Sequence, residues 1–207
     1  MGHRSGSPGH WRQRQVSDPY VERASREGWR SRAVFKLQQI QARSRVLKPG
    51  VNCLDLGASP GGWSQYASGI VQPIGRVWAL DREPLEPISG VTFIQGDFTD
   101  PQILSLLRSS LGDARVDLVM SDMAPNLSGN RVVDQAKSME LAEGVLDFAC
   151  GVLGEGGGLL IKLFQGEGFD DFIASVRIGF GSVRVIKPPA SRPESREMYL
   201  LARTYGM

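Results

Sequence analysis

Only two cysteines occur in the 207 residues, Cys53 and Cys150, and each is embedded in an apolar stretch. Two such thiols make no disulfide framework and read as buried groups of a reducing compartment. Histidine is equally scarce: His3 and His10 both lie in the polar N-terminal tail. A Cys/His metal site is therefore excluded, and no metal is expected. No apolar run approaches the roughly 18 residues of a membrane span. An apolar signal-peptide core is missing too, and residue 6 is Gly where a myristoylation pattern needs Ser or Thr. Met1–Gln15 is rich in Arg, Ser and Gly and lacks acids, which superficially suits a transit peptide, but it has no apolar face. A cytoplasmic protein with no membrane association is expected.

What is present suits one well-buried domain. Apolar residues make up 41% and charged residues 22%, ordinary globular values. The net charge of +2 hides an asymmetry. Residues 1–45 hold ten Lys+Arg against three Asp+Glu, a balance of +7, whereas the rest holds fourteen against nineteen, a balance of −5. A basic arm on a mildly acidic body points to a polyanionic partner, or to a merely solvated tail. Residues 1–17 are expected to form a basic disordered tail, with a single domain over 18–207.

The stretch Val51–Ser64 organises the chain. An apolar run ends abruptly in Gly57-Ala58-Ser59-Pro60-Gly61-Gly62, and an amphipathic segment follows. That order reads as strand, tight loop and helix start, where unpaired N–H groups face a ligand. Further strands are expected at 76–80, 91–95, 116–120 and 159–164, with helices at 63–71, 101–111, 134–153 and 169–180 between them. Two short helices precede them, at 18–27 and 31–41, and Gly156-Gly157-Gly158 is expected to punctuate the chain before the fifth strand. Continuous apolar strands alternating with helices predict an α/β, Rossmann-like parallel sheet covered on both faces. The last two strands, 183–187 and 198–203, are separated by a proline-containing loop without a helix, so they pair antiparallel. The expected sheet has seven strands, one of them reversed.

Ligands of such sheets bind outside the carboxyl ends of the strands. Those ends carry Asp55 with Gly57, then Asp81, Asp97, Asp122 and Lys162. Each Asp alone could merely cap a turn; together they describe a polar crevice. Asp81 follows Gly57 by 24 residues, the expected place for a carboxylate that accepts ribose hydroxyls. The loop lacks the G-x-G-x-x-G spacing, and no P-loop Lys-Ser/Thr pair follows. An adenosine ligand without phosphates fits better, and S-adenosylmethionine is the obvious one. Trp63 at the helix start either packs the core or walls the ligand. Lys162 interrupts Leu159-Leu160-Ile161 and Leu163-Phe164 in a buried strand, so it must be paired or reach the rim. Lys36 and Glu197 look ordinary: a solvated helix face and a charged strand entry.

The blocks LDLGASPGGWSQY (54–66), GDF (96–98), SDMAPN (121–126), KLFQGEGF (162–169) and SREMYLLA (195–202) resemble the bacterial large-subunit ribosomal RNA 2′-O-ribose methyltransferases of the FtsJ/RlmE type. The resemblance runs from about Ser17 to Ala202 in order and spacing. It implies a class I methyltransferase fold and a catalytic Lys36, Asp122, Lys162 and Glu197. It implies S-adenosylmethionine held around Asp55, Gly57, Pro60, Gly61, Trp63, Asp81, Asp97, Phe98 and Asp122. Its substrate class is the ribose of a uridine in the A loop of 23S ribosomal RNA, usually on the large ribosomal subunit, and a monomer is expected. Helices in 18–45, with Arg30 and Arg32, and the loop carrying Arg192 and Arg196 are expected at the RNA.

Lys162 is the candidate general base for the 2′-hydroxyl. Burial, a sulfonium and Lys36 favour its neutral amine, while Asp122 and Glu197 favour the ammonium. Three rivals are weaker. A nicotinamide dehydrogenase conflicts with the glycine spacing, and a non-catalytic S-adenosylmethionine- or RNA-binding module with the intact four residues. A base methyltransferase conflicts with the absence of a rim cysteine and of an Asn/Asp-Pro-Pro-aromatic turn. Another RNA, such as tRNA, is the alternative substrate.

Overall fold

The computed structural model describes residues 18–126 and 128–206, so the expectation of a disordered tail lies outside the described residues. The first element, α1 (Pro19–Arg26), starts where local chemistry dictates. Asp18 caps it by accepting from the Tyr20 amide at 3.0 Å, and Pro19 occupies the first turn. Helix α2 (Val34–Ser44) buries Val34, Phe35, Leu37 and Ile40 and stops at Arg45, whose φ of 49° is left-handed. Strand and helix then alternate: β1 (Cys53–Leu56), α3 (Gly62–Val71), β2 (Val77–Asp81), β3 (Val91–Gln95), α4 (Pro101–Leu111), β4 (Val116–Ser121), α5 (Arg131–Val152), β5 (Leu153–Phe164) and α6 (Phe169–Gly179). Strands β6 (Phe180–Ile186) and β7 (Glu197–Tyr205) complete the set.

The seven strands form one sheet in the order β3-β2-β1-β4-β5-β7-β6. β7 slots between β5 and β6 and runs antiparallel to both, while the other pairings are parallel. The expected fold is thus present, reversed strand included. Every residue of β1 is buried because helices cover both faces. On one face Leu54, Leu56, Val119 and Leu163 pack against α4, α5 and α6 through Leu107, Phe148 and Phe172. On the other, Cys53, Met120, Leu160 and Tyr199 pack against α2 and α3 through Leu37, Ile40 and Trp63. Each such apolar side chain contributes roughly 1.5–3 kcal/mol when fully buried.

Several boundaries differ from the sequence reading: the helix expected at 31–41 is Val34–Ser44, the strand expected at 183–187 begins at Phe180, and two further shifts have a visible local cause. The glycines 156–158 do not precede β5; they lie inside it. The register against β4 slips between the Val116–Leu153 and Leu118–Gly158 pairs, with Gly156 at φ 79°, so the glycines form a bulge. Helix α5 begins at Arg131, three residues early, because the Asn130 side chain accepts from the amides of Val132 and Val133.

Candidate active site

Where the carboxyl ends of β1, β2, β3 and β4 meet, the loops enclose a cavity of about 710 Å³, within the range of small-molecule sites. Leu80, Phe98, Leu104 and Leu141 give it apolar walls; Asp81, Asp97 and Asp122 give it acid. Gly57 has φ 80°, and a Cβ there would lie 2.3 Å from the Met123 side chain. Only glycine lets the β1 and β4 loops close on each other at this edge. Asp81 organises the rim: one carboxylate oxygen accepts the Ser59 amide at 2.8 Å, the other the Glu83 amide at 2.8 Å. Each oxygen keeps a further lone pair for a ligand hydroxyl. Asp97 accepts the Thr99 amide at 2.8 Å and its hydroxyl at 2.7 Å, and these bonds hold its carboxyl below the usual range.

Asp122, at the end of β4, also belongs to a second constellation. Lys162 Nζ lies 3.2 Å from Asp122 Oδ1 and donates to the Asp122 carbonyl at 2.5 Å. Lys36, projecting from α2, lies 3.8 Å from the same Oδ1. Its Nζ is also 2.8 and 2.9 Å from the two Glu197 carboxylate oxygens. Strand register builds this arrangement: Lys162 pairs with Tyr199 and Phe164 with Glu197, so all four share one sheet face. Two ammonium groups against two carboxylates make burial tolerable. The Lys162 side chain is only 8% exposed, and those of Lys36, Glu197 and Asp122 are 12%, 12% and 16% exposed. Ser191 donates to Glu197 Oε1 at 2.9 Å, holding the oxygen that also stands 2.8 Å from Lys36.

A fifth residue completes the network. Tyr199 donates its hydroxyl to Asp122 Oδ1 at 2.5 Å. Burial pushes the Asp122 carboxyl up, yet Lys162, Lys36 and the Tyr199 hydroxyl outweigh it and hold the group below its usual value. Burial and the neighbouring carboxylates of Asp122 and Glu197 push the Tyr199 phenol well above its own. Tyr199 was not expected from sequence. Its signal was available: it lies two residues after Glu197, a polar aromatic on the same face of an otherwise apolar strand.

Residues 29–205 match the FtsJ-like methyltransferase family. The chain belongs to that family. An FtsJ-like methyltransferase takes its methyl group from S-adenosylmethionine, and the cavity suits that donor. It offers apolar walls for an adenine, spare carboxylate lone pairs for ribose hydroxyls, and Asp122 for a cationic end. Among solved structures, a Plasmodium falciparum protein described as a ribosomal RNA methyltransferase aligns with this FtsJ-like chain at TM-score 0.77 and 27% identity. That alignment covers 86% of this chain and 99% of the other. A protein from Clostridium thermocellum described as an rRNA-methylase (TM-score 0.57, 18% identity, 81% and 96% of the two chains) shares the fold. So does one from Lactococcus lactis described as a hemolysin (TM-score 0.61, 15% identity, 86% and 89%).

Of the residues expected at the donor, Gly57, Asp81, Asp97, Phe98 and Asp122 line the cavity. Asp55, Pro60, Gly61 and Trp63 stand beside this cavity without lining it, each in its own surroundings. Asp55 is 1% exposed beneath the loop and accepts the Ser64 hydroxyl at 2.6 Å; burial pushes its carboxyl up to about 7. Pro60 lies on the outer, exposed side of the loop. The space beside Gly61 is filled by Leu85, Ile88 and the stem of Arg30, all within 2.9 Å of where a Cβ would be. Trp63 packs the core: its Nε1 donates to the Ala33 carbonyl at 2.8 Å and its ring lies 5.8 Å from that of Tyr199.

The arginines expected at RNA divide likewise. Arg30 donates to the Glu86 and Pro87 carbonyls at 2.6 and 2.8 Å, and Arg32 bonds Asp18 and the Ala190 carbonyl. Both therefore brace the fold. Arg192, 3.6 Å from Asp18, keeps 39% of its side chain exposed, and the exposed Arg196 donates to the Gln165 carbonyl at 2.9 Å. Among the described residues no helix is long and apolar enough to cross a membrane.

Proposed function

We propose that this enzyme methylates the 2′-hydroxyl of a ribose in RNA, and that its target is a uridine in the A loop of 23S ribosomal RNA on the large ribosomal subunit. The observation that carries this reading is the double membership of Asp122, which lines the donor cavity and anchors Lys162 and Lys36. A ribose hydroxyl brought against Lys162 would therefore stand at the edge of the donor site. The Plasmodium falciparum relative, described as a ribosomal RNA methyltransferase, supports ribosomal RNA as the substrate class.

S-adenosylmethionine supplies an electrophilic methyl group on a sulfonium. The chain's own part is to place the nucleophile and manage its proton. Holding two reactants in near-attack geometry is worth roughly 7–11 kcal/mol. Lys162, held as an ammonium by the carbonyl and carboxylate of Asp122, donates to the ribose hydroxyl and turns its lone pair towards the methyl, and the hydroxyl proton leaves to solvent as the new O–C bond forms. Lys36 and Glu197, locked to each other, fix the opposite side of the hydroxyl's seat. Exposed Arg192 and Arg196 receive backbone phosphates, so RNA affinity falls as salt rises.

The test is methyl transfer from labelled S-adenosylmethionine to large ribosomal subunits of an unmodified strain, with mapping of the modified nucleotide. Ribose methylation at one A-loop uridine is expected, and Lys162→Ala should bind donor but transfer no methyl. Label on a base, preferential transfer to tRNA, or normal transfer by folded Lys162→Ala would refute the corresponding part.

A further inference from the structure

Phe164 ends β5 two residues after Lys162, on the same face, and pairs across the sheet with Glu197. Its ring is half-buried, and it joins none of the three hydrophobic clusters that account for the core. The Lys162 ammonium stands 6.0 Å from its centroid. A large apolar ring across from Glu197 and under the Lys162 ammonium, contributing to no core cluster, gains only a cation–π contact from its place in the free protein.

The backbone around it is nevertheless held hard. Gln135 on α5 donates its side-chain amide to the Phe164 and Glu167 carbonyls at 3.1 and 3.0 Å. The Gln165 amide donates to the Arg196 carbonyl at 3.0 Å, and the Arg196 guanidinium returns a bond to the Gln165 carbonyl at 2.9 Å. Gln135 is itself buried. The strand end that carries Phe164 is thus fixed from two sides while the ring stays partly open.

We propose that Phe164 is the platform on which the base of the target nucleotide stacks. The inference rests on the ribose-methylating reading above and adds a binding residue to it. If the 2′-hydroxyl lies against Lys162, the base attached to the same ribose emerges beside that ammonium. Phe164 is the aromatic face placed there. Bases stack on aromatic rings whatever their hydrogen-bonding edges, so the platform takes a nucleobase as a class.

Three variants test this on the full chain, with methyl-transfer kinetics on large ribosomal subunits, calorimetric S-adenosylmethionine affinity and thermal melts. Phe164→Ala should raise the RNA KM by about 5- to 150-fold, the range covered by stacking one base on an aromatic side chain. Donor affinity should stay within about twofold, since no donor-cavity wall changes. Phe164→Tyr should behave as wild type, whereas Phe164→Leu, which keeps the apolar bulk without a π-face, should resemble Phe164→Ala. Phe164→Leu also serves if the alanine variant folds poorly. The platform is overturned if Phe164→Leu matches wild type, if the KM of Phe164→Ala is unchanged, or if donor affinity and RNA KM worsen together. Failure of the wild type to methylate any RNA would instead bring down the ribose-methylating reading, and this inference with it.

Discussion

Replacing Lys162 by methionine keeps the bulk of the stem and removes the charge that most strongly opposes the burial of Asp122. At an effective dielectric near 20, the 3.2 Å separation corresponds to about 5 kcal/mol of attraction. Lys36, at 3.8 Å, retains about 4 kcal/mol on the same scale. Breaking a buried pair typically costs about 3–5 kcal/mol. Here Lys36 and the Tyr199 hydroxyl still face Asp122, and the buried ammonium no longer needs desolvating. We therefore expect a loss of about 2–3 kcal/mol near neutral pH, or roughly 5–10 °C in melting temperature. The sign with pH follows from the depressed carboxyl. Asp122 stabilises the wild type above its unfolded value near 3.9, and that contribution disappears as pH falls through its lower folded value. The gap between wild type and Lys162→Met should be full at pH 7, begin to narrow below about pH 4 and close only below the depressed folded value of Asp122. Urea melts at pH 7 and at about pH 2 decide it. An equal deficit at both values, or none at pH 7, would show that the charge pair does not hold Asp122.

Tyr199→Phe deletes a hydrogen bond to a charged group, worth about 1.5–3 kcal/mol, and should raise the Asp122 carboxyl. Methyl transfer should slow, and the acid limb of its pH–rate profile should move to higher pH; a slower rate with an unmoved limb would count against this role. Asp55→Asn concerns a carboxyl that burial raises to about 7. The wild type is favoured by this group below about pH 4 and loses that favour as pH rises through about 7. Denaturation from pH 5 to 8 should show a falling stability in the wild type and a flatter line in Asp55→Asn. Gly57→Ala forces a side chain into a left-handed residue, at about 1–2 kcal/mol, and against Met123. Calorimetry should find S-adenosylmethionine bound more weakly by Gly57→Ala; unchanged affinity would mean that the β1 and β4 loops are freer than their contact implies.

Much of the sheet was legible because apolar runs end in glycine or aspartate at regular intervals, and each such end became a strand terminus. The β5 bulge was not, since Gly156-Gly157-Gly158 reads equally as a turn or as an interrupted strand. Only the neighbouring register distinguishes them. Asp122 and Lys162 stood out by chemistry, a lysine inside an apolar strand needing a partner. Lys36 and Glu197 carry no such signal. Their meeting depends on α2 packing over β7, contacts that span 161 residues of sequence. Arg30 and Arg32 have bonds that counting charges does not reveal, since each guanidinium donates to backbone carbonyls of its own chain. The burial of Asp55 was not legible either, because a carboxylate at a strand end can point into the layer beneath the loop as readily as over the rim.

The position of β7 has a consequence for how the enzyme comes into being. β7 is an interior strand, wedged between two strands that precede it in the chain. It delivers both Glu197 and Tyr199. Until it inserts, β5 and β6 have open edges, Asp122 lacks the Tyr199 hydroxyl and Lys36 lacks its nearer carboxylate, Glu197. Chemistry therefore waits for β7 to insert, and a chain truncated before it should be inert instead of half-active.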